Sequence, residues 1–279
     1  MNTHPRFSII ICSIDAYKFA SVCACYEALF ADVPHEIIGI HDADSLTEGY
    51  NRGMAQASGD VLVFSHDDLI FLDPDFARKI SERMVSWDIL GFVGTSRLVF
   101  PAWTGADWPY LHGAVCHAVH GQNFLSLNIY GAGDWPVIGN IEALDGLCII
   151  AKREVAEAVG FDGETFDGWH LYDLDFSFAA HLSGYKTGVC CDIPYIHAST
   201  SIQGAAASLS SDDYIKYAQR FAAKYQEKLP PNHVPPKMPY GKICDISDHR
   251  ALLRLWNEET FRRANIAMER GKSTNPQQS

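Results

Sequence analysis

Residues 51–68 read NRGMAQASGDVLVFSHDD, a polar segment followed by an apolar run that ends at His66, Asp67 and Asp68. The run is rich in Val and Leu and is typical of a strand buried on both faces. Two neighbouring carboxylates at the end of such a strand repel each other unless a positive charge offsets them. We therefore expect either a cation at this position or an exposed loop that the two acids cap.

The same alternation of segments runs through the first third of the chain. Strands are predicted at 7–14, 35–45 and 60–66, and helices at 15–30, 46–58 and 73–87, the last beginning with Asp73 as N-cap and Pro74 in its first turn. Alternating strands and helices predict a doubly wound, mostly parallel sheet with right-handed crossovers. Ligands of such sheets bind beyond the carboxyl ends of the strands, where this chain places acids after all three strands.

The later part of the chain is less regular. Further strands are predicted at 91–98, in the first half of 142–160, and at 190–200, where the strand ends at His197. The stretch 100–140 is rich in Trp, Gly, His and Pro with weak periodicity, which predicts an irregular aromatic insert or a β-hairpin. We expect an α/β domain over 1–204, a helical extension over 205–271 with a Pro-rich break at 229–239, and a disordered tail over 272–279.

Composition excludes several classes of protein. The chain has 279 residues, 47% of them hydrophobic, and a formal net charge of −12, which argues against nucleic-acid binding and against a basic membrane-binding surface. No run reaches the roughly 18–20 apolar residues of a membrane span, and the first apolar run is too short for a signal peptide.

The eight cysteines include no CxxC pair, which favours buried free thiols over a zinc ribbon. We expect a cytoplasmic protein.

Two long segments resemble a known family. NRGMAQASGDVLVFSHDD (51–68) is similar to the stretch of family 2 glycosyltransferases that runs from the second helix to the metal motif. LDGLCIIAKREVAEAVGFDGETFDGWHLYDLDFSFAAHLSGYKTGV (144–189) resembles the acceptor-side half of the same family, most closely the StrF-type subgroup named after a streptomycin-biosynthesis protein. The resemblance covers about residues 7–200. It implies a GT-A fold, the Rossmann-like fold of nucleotide-diphospho-sugar transferases, with a central mostly parallel sheet.

The resemblance also implies a donor site. Asp68 and His197 match the family's metal ligands, which would hold Mn²⁺ or Mg²⁺ against the diphosphate of a UDP, dTDP or GDP sugar. The matching nucleotide-binding positions are Cys12, Ser13, Asp42, Asn51, Arg52 and Asp67. His66 stands where many relatives have a first acid, and its role at the metal is left open. A structural role for His197, and an ion pair between Arg52 and a surface acid, are the alternatives.

The family's acceptor side maps onto the second segment. Asp173 matches the general base, which must take the proton of the attacking hydroxyl, although capping of its helix is the alternative role. Asp145, Trp169 and His170 match sugar- and acceptor-binding positions, although Trp169 could simply pack.

The resemblance implies a metal-dependent, inverting hexosyl- or deoxyhexosyltransferase of polysaccharide biosynthesis. Its acceptor would be a glycan or a glycolipid, and a peripheral position at the inner face of the membrane is compatible with such an acceptor. The amphipathic C-terminal segment permits a homodimer. The main alternative is a catalytically inactive nucleotide-sugar-binding module, suggested by the histidines at 41 and 66. A sugar-1-phosphate nucleotidyltransferase is disfavoured because CSIDAYKF (12–19) lacks a glycine-rich phosphate loop.

Overall fold

The computed structural model of the chain describes residues 5–118, 124–198, 211–230 and 242–273. The strands are β1 Phe7–Cys12, β2 His35–Ile40, β3 Val61–Ser65, β4 Leu69–Phe71, β5 Ile89–Gly91, β6 Val93–Thr95, β7 Leu111–Ala118, β8 Leu125–Gly131, β9 Val137–Ile138, β10 Ala143–Leu144, β11 Cys148–Lys152, β12 Thr187–Cys190, β13 Tyr195–His197 and β14 Lys242–Ile246. The helices are α1 Ala16–Leu29, α2 Leu46–Gln56, α3 Phe76–Arg83, α4 Arg153–Val159, α5 Tyr172–Leu182, α6 Asp212–Lys224, α7 His249–Leu255 and α8 Glu258–Ser273, with a 3-10 turn at Trp103–Ala106.

The predicted α/β class is confirmed by a seven-stranded sheet in the order β2-β1-β3-β11-β5-β12-β9, which we call the first sheet. β1 lies between β2 and β3 and is parallel to both, as the sequence predicts. The sheet as a whole is evenly mixed rather than mostly parallel, because β11 is antiparallel to both its neighbours and β9 is antiparallel to β12. β11 begins at the edge of the sheet where β3 ends, directly after the turn that follows β10. It therefore runs antiparallel to β3, because no helical crossover returns the chain to the opposite edge first.

A second sheet was not foreseen. It runs β10-β6-β7-β13-β4, with β8 paired to β7 and β14 to β8. The prediction of an irregular insert at 100–140 is therefore wrong for β7 and β8, which form the antiparallel hairpin left open as the alternative. The periodicity of β7 is interrupted at Gly113, where φ is +92° and the register of the pair shifts.

Two predicted strands are each divided between the sheets. Residues 91–98 do not form one strand: β5 ends at Gly91 in the first sheet and β6 begins at Val93 in the second. Likewise, the predicted strand at 190–200 contains only the last residue of β12 and the whole of β13, which residues 191–194 separate. The buried Phe92 ring lies at the first division and contacts Tyr195, at a ring distance of 5.3 Å, beside the second. Continuous apolar sequence hides such divisions because both sheets bury their strands.

The helices begin close to the residues that the sequence predicts, with one exception. Asp15 Oδ1 accepts from the backbone N–H groups of Tyr17 and Lys18 at the start of α1. The predicted helix over 73–87 begins only at Phe76, because Asp73 Oδ1 accepts from the N–H of Asp75 and closes a turn before the helix.

The C-terminal extension is not purely helical. β14 extends the second sheet, and α8 continues to Ser273, so the predicted disordered tail does not begin at residue 272. The linker 199–210, most of the Pro-rich break, and residues 274–279 lie outside the described residues. Within the described ranges, no helix is long and apolar enough to cross a membrane.

Candidate functional site

The candidate site lies where β3 and β13 end, at the edge shared by the two sheets. The chain leaves β3 at Ser65 and pairs β4 with β13 in an antiparallel register that sets His197 opposite Leu69. The N–H of Ala198 donates to the carbonyl of Asp68 at 2.8 Å and extends this pairing by one residue. The pairing of β4 with β13 therefore brings Asp68 and His197 together, although 128 residues separate them in the chain.

His66, Asp68 and His197 form one cluster of potential metal ligands. Each offers a ligand atom that lies within 4.8 Å of the other two, and His197 Nε2 lies 3.1 Å from Asp68 Oδ1. Asp68 Oδ1 is buried, and no group of the described residues makes a well-aligned hydrogen bond to it. Two imidazoles and one carboxylate oxygen are a donor set that divalent transition metals accept, so the residues fit such an ion. His66, whose role the sequence left open, thus joins the two predicted ligands.

The electrostatics of the cluster reflect burial and close pairing. Burial alone would raise the pKa of Asp68, but the adjoining His197 lowers it to about 2. Burial opposes the charged form of His197 as well, yet the contact with Asp68 raises the pKa of His197 above its usual value. Burial and the neighbouring charge of His197 both lower the pKa of His66. The cluster therefore holds one carboxylate that stays ionised and one imidazole, His66, that stays neutral and able to bind a cation.

Asp173 lies in the first turn of α5 and is linked to this cluster through its neighbour Tyr172. The Tyr172 hydroxyl lies 2.8 Å from His66 Nε2, and Asp173 Oδ2 accepts from the N–H of Gly146 at 2.8 Å. Burial and then the charge of Asp145 raise the pKa of Asp173 to about 7. A carboxylate in this state can take up a proton near neutral pH.

Asp145 lies in the turn between β10 and β11 and receives two hydrogen bonds. Trp103 Nε1 donates to Oδ2 at 2.7 Å, and the N–H of Leu147 donates to Oδ1 at 3.0 Å. The Trp103 ring packs edge-on against Tyr130, with ring centroids 4.9 Å apart. Sequence reasoning missed Trp103 because one Trp in a weakly periodic insert carries no positional signal.

Ser13 and Asp67 connect the ends of β1 and β3. The Ser13 hydroxyl donates to Asp67 Oδ2 at 2.6 Å, which fixes that carboxylate beside the candidate metal cluster. Cys12, at the last position of β1, is partly buried, and burial raises the pKa of its thiol to about 12. Three predicted nucleotide-binding residues therefore lie together, and the Cys12 thiol is neutral.

The other three predicted nucleotide-binding residues are already engaged. Arg52 donates to Asp42 Oδ1 at 2.6 Å and pairs with Glu48 at 3.2 Å, which is the surface ion pair considered as its alternative role. Asn51 donates to the carbonyl of Phe161 at 2.7 Å and accepts from its N–H at 3.1 Å. Asn51 thereby ties α2 to the loop before α5, and nucleotide contacts at Asp42, Asn51 and Arg52 stay predictions.

Trp169 and His170 lie on that same loop. The loop has contacts on both sides of Trp169: the carbonyl of Gly168 accepts from the N–H of Leu46, and the His170 and Tyr214 ring centroids are 5.5 Å apart. The Trp169 side chain is nevertheless 48% exposed. The alternative of ordinary core packing does not fit this exposure, and the loop presents an indole from a fixed backbone.

Comparison with known proteins gives one family assignment. The model of the family described as "Glycosyltransferase like family" matches residues 8–225 of the chain. No curated protein sequence matches the chain.

Several solved structures are similar at low identity. The mannosyltransferase PcManGT from Pyrobaculum calidifontis, in complex with GDP-Man and Mn²⁺, is 14% identical with a TM-score of 0.47, over 98% of this chain and 77% of that one. GalNAc-T7 with UDP, GalNAc and Mn²⁺ is 12% identical with a TM-score of 0.45, over 82% of this chain and 52% of that one. S. aureus TarS 1–349 is 12% identical with a TM-score of 0.40, over 81% and 73% respectively.

Proposed function

The chain belongs to the glycosyltransferase-like family, and on that basis we propose that it transfers a sugar from a nucleotide-diphosphate donor to an acceptor hydroxyl. The observation that carries the proposal is the 2.8 Å contact between His66 and Tyr172. Through it, the cluster of potential metal ligands adjoins the helix turn that bears Asp173. A single displacement requires a site for the leaving group and a base for the attacking hydroxyl close to the same bound substrate.

The donor diphosphate is proposed to bind at the metal cluster. His66, Asp68 and His197 would hold the ion, which when bound neutralises the charge that develops on the departing diphosphate. Two imidazoles among three protein ligands favour Mn²⁺ over Mg²⁺, because Mg²⁺ prefers an all-oxygen shell. The role of the protein is to keep His66 neutral and Asp68 ionised at neutral pH.

Asp173 is proposed as the general base. Its carboxylate takes the proton of the acceptor hydroxyl as that oxygen attacks the anomeric carbon, and the bond to the diphosphate breaks on the opposite face. Inversion follows from this single displacement. The Gly146 N–H fixes Asp173 Oδ2, and a pKa of about 7 leaves the group a competent proton acceptor at neutral pH.

Substrate contacts follow from the positions of the remaining side chains. Cys12, Ser13 and Asp67 lie beside the metal cluster and are proposed to meet the nucleoside of a UDP, dTDP or GDP sugar, with Asp42 and Arg52 at the outer rim. Trp169 offers an exposed aromatic face, which suits the C–H surface of a glycan or glycolipid acceptor. We place the reaction in the cytoplasm, in polysaccharide synthesis of the StrF-related type.

Isothermal titration with UDP, dTDP and GDP, each with and without Mn²⁺, tests the proposal. At least one nucleotide should bind, and its affinity should fall sharply without the metal. Absence of metal-dependent binding to all three would contradict the proposal. Asp173→Ala should abolish transfer and retain nucleotide binding, whereas loss of both would assign Asp173 a structural role.

The alternative of an inactive binding module loses part of its motivation, because His66 lies among the potential metal ligands. Slow hydrolysis of the bound donor to nucleoside diphosphate separates the two functions. An active enzyme releases nucleoside diphosphate from the cognate sugar nucleotide, and a binding module does not.

A further inference from the structure

His117 is a third imidazole beside the metal cluster, supplied by the second sheet. It lies in β7, which is parallel to β13, and the register of the two strands sets His117 beside His197. The two rings are 5.5 Å apart, and His66 lies 5.8 Å from the His197 ring. His197 therefore has a second histidine in ring contact, and it comes from the hairpin that the sequence offered only as an alternative to an irregular insert.

The position of His117 is too remote for a place among the metal ligands. The ligand atoms of His66, Asp68 and His197 all lie within 4.8 Å of one another, and His117 stands outside that group. A metal–nitrogen bond is only about 2.0–2.2 Å long, so an ion held by the three ligands leaves His117 beyond coordinating reach. The imidazole is instead suited to touch a group that is itself bound to the ion.

One nitrogen of His117 has no protein partner. Nδ1 is buried and makes no hydrogen bond to any residue that the structure describes. A buried polar atom without a partner is costly, so such an atom beside a functional site points to a ligand. An imidazole ring carries at least one N–H, which can donate to an anionic oxygen.

His112 provides a contrast on the same strand. The Nε2 of His112 has a partner in the Ser96 hydroxyl at 2.8 Å. Of the two partly buried histidines of β7, His112 therefore has a hydrogen-bond partner, whereas Nδ1 of His117 has none and lies next to the candidate metal centre.

We propose that His117 Nδ1 donates a hydrogen bond to an oxygen of the donor's diphosphate at the metal centre, as a binding residue outside the metal's own ligand set. This inference rests on the proposed function. It predicts that His117 contributes to affinity for a nucleoside diphosphate but not to affinity for the metal or for the nucleoside.

Binding measurements on the full chain test the inference, with His117→Ala compared with His112→Ala and the wild type. Titration with Mn²⁺ alone should give the same affinity for all three proteins. Titration of the Mn²⁺-loaded proteins with the nucleoside diphosphate that binds the wild type should show about tenfold weaker binding for His117→Ala, the loss expected for one hydrogen bond to a charged group. His112→Ala should bind that diphosphate as the wild type does, and the nucleoside alone should not distinguish the variants.

Each other result overturns the inference in a recognisable way. Weaker Mn²⁺ binding by His117→Ala would make His117 a metal ligand. Unchanged diphosphate affinity, with a loss seen only for the sugar nucleotide, would move the contact to the sugar. An equal loss of diphosphate affinity in His112→Ala would show that the effect comes from disruption of β7 and not from a contact made by His117. If His117→Ala fails to fold, His117→Asn, which keeps a donor, should bind the diphosphate more tightly than His117→Leu. A wild type that binds no nucleotide contradicts the proposed function instead.

Discussion

The indole N–H of Trp103 donates a 2.7 Å hydrogen bond to Asp145 Oδ2 and so joins the 3-10 turn at Trp103–Ala106 to the turn that precedes β11. Asp145 is in turn next to Gly146, whose N–H holds Asp173. The charge of Asp145 also helps to raise the pKa of Asp173. Trp103 therefore acts on the proposed base through Asp145 and is a positioning residue.

Trp103→Phe should lower kcat by about tenfold, because it removes a hydrogen bond to a charged group while the aromatic ring can still pack on Tyr130. Affinity for Mn²⁺ should not change. Trp135→Phe is the matched control, since the Trp135 ring packs on Phe261. Steady-state kinetics of the two variants provide the measurement. If Trp103→Phe and Trp135→Phe have the same kcat, the Trp103 hydrogen bond is not required.

The residues around Asp145 show which parts of the candidate site the sequence predicts and which it does not. The strand ends that carry Asp68 and His197 could be predicted because buried strands have a recognisable composition, whereas the metal role of the two residues is implied by the family resemblance and stays a prediction. Trp103 could not, because its position depends on a hairpin that only the fold pairs with β6 and β13. His117 was hidden for the same reason, since its neighbour His197 is set by strand register rather than by any motif.

The two sheets show the same limit at the level of the fold. Local pattern identified β1, β2 and β3 and the helices between them, where each strand is followed by its crossover. It merged β5 with β6, and β12 with β13, because a buried strand reads as apolar whichever sheet it joins. The division of the chain between two sheets is a tertiary choice, and that choice creates the candidate site.

Asp68→Asn should weaken Mn²⁺ binding by at least about tenfold, because it removes the one carboxylate of the cluster. In the wild type, saturating Mn²⁺ should raise the melting temperature, because the ion binds the folded state. The variant should lose most of this shift. Asp42→Asn, at an exposed carboxylate outside the cluster, serves as control and should keep the shift. A full shift in Asp68→Asn would remove Asp68 from the metal site.

Because of Asp173, the pH–rate profile should show a loss of activity on its acid side, with the midpoint near pH 7. The group must be ionised to accept a proton, and its pKa is raised to about 7 in the protein without substrate, so kcat/KM should fall as the pH drops below that value. A pH profile of kcat/KM for the donor checks this. A limb near pH 4, the ordinary value of an aspartate, would contradict the burial of this carboxylate.

The same carboxylate should make stability depend on pH in a defined direction. Since the pKa of Asp173 is higher in the folded than in the unfolded state, folding favours its protonated form, and stability falls as the pH rises from about 4 to about 7. Asp173→Asn keeps an acceptor for the Gly146 N–H and removes the charge. The variant should therefore melt above the wild type at pH 8 and show a smaller advantage at pH 5. Thermal unfolding at both values measures this, and a variant that is less stable at pH 8 would contradict it.

Lys224 at the end of α6 should stabilise the fold through Asp175, one turn beyond the start of α5. The Lys224 ammonium lies 2.7 Å from Asp175 Oδ1, and the Asp175 side chain is only 3% exposed. The Tyr225 hydroxyl donates to the same carboxylate at 2.7 Å. Burial raises the pKa of Asp175 even though both partners favour its ionised form. Lys224→Met would leave a buried carboxylate with one hydrogen-bond donor and no opposite charge, and it should cost about 1–3 kcal/mol of unfolding free energy at pH 7.

The cost should shrink as the pH falls, because Asp175 can then take up a proton and become neutral. Adding Asp175→Asn to Lys224→Met should restore much of the loss, since no buried charge then remains. Lys216→Met is the matched control on the same helix, because Lys216 and its partner Asp167 are both exposed and 3.6 Å apart, and it should leave the melting temperature unchanged. Urea unfolding of the three variants provides the measurement. A Lys224→Met protein as stable as the wild type would mean that α6 does not support α5 through this pair.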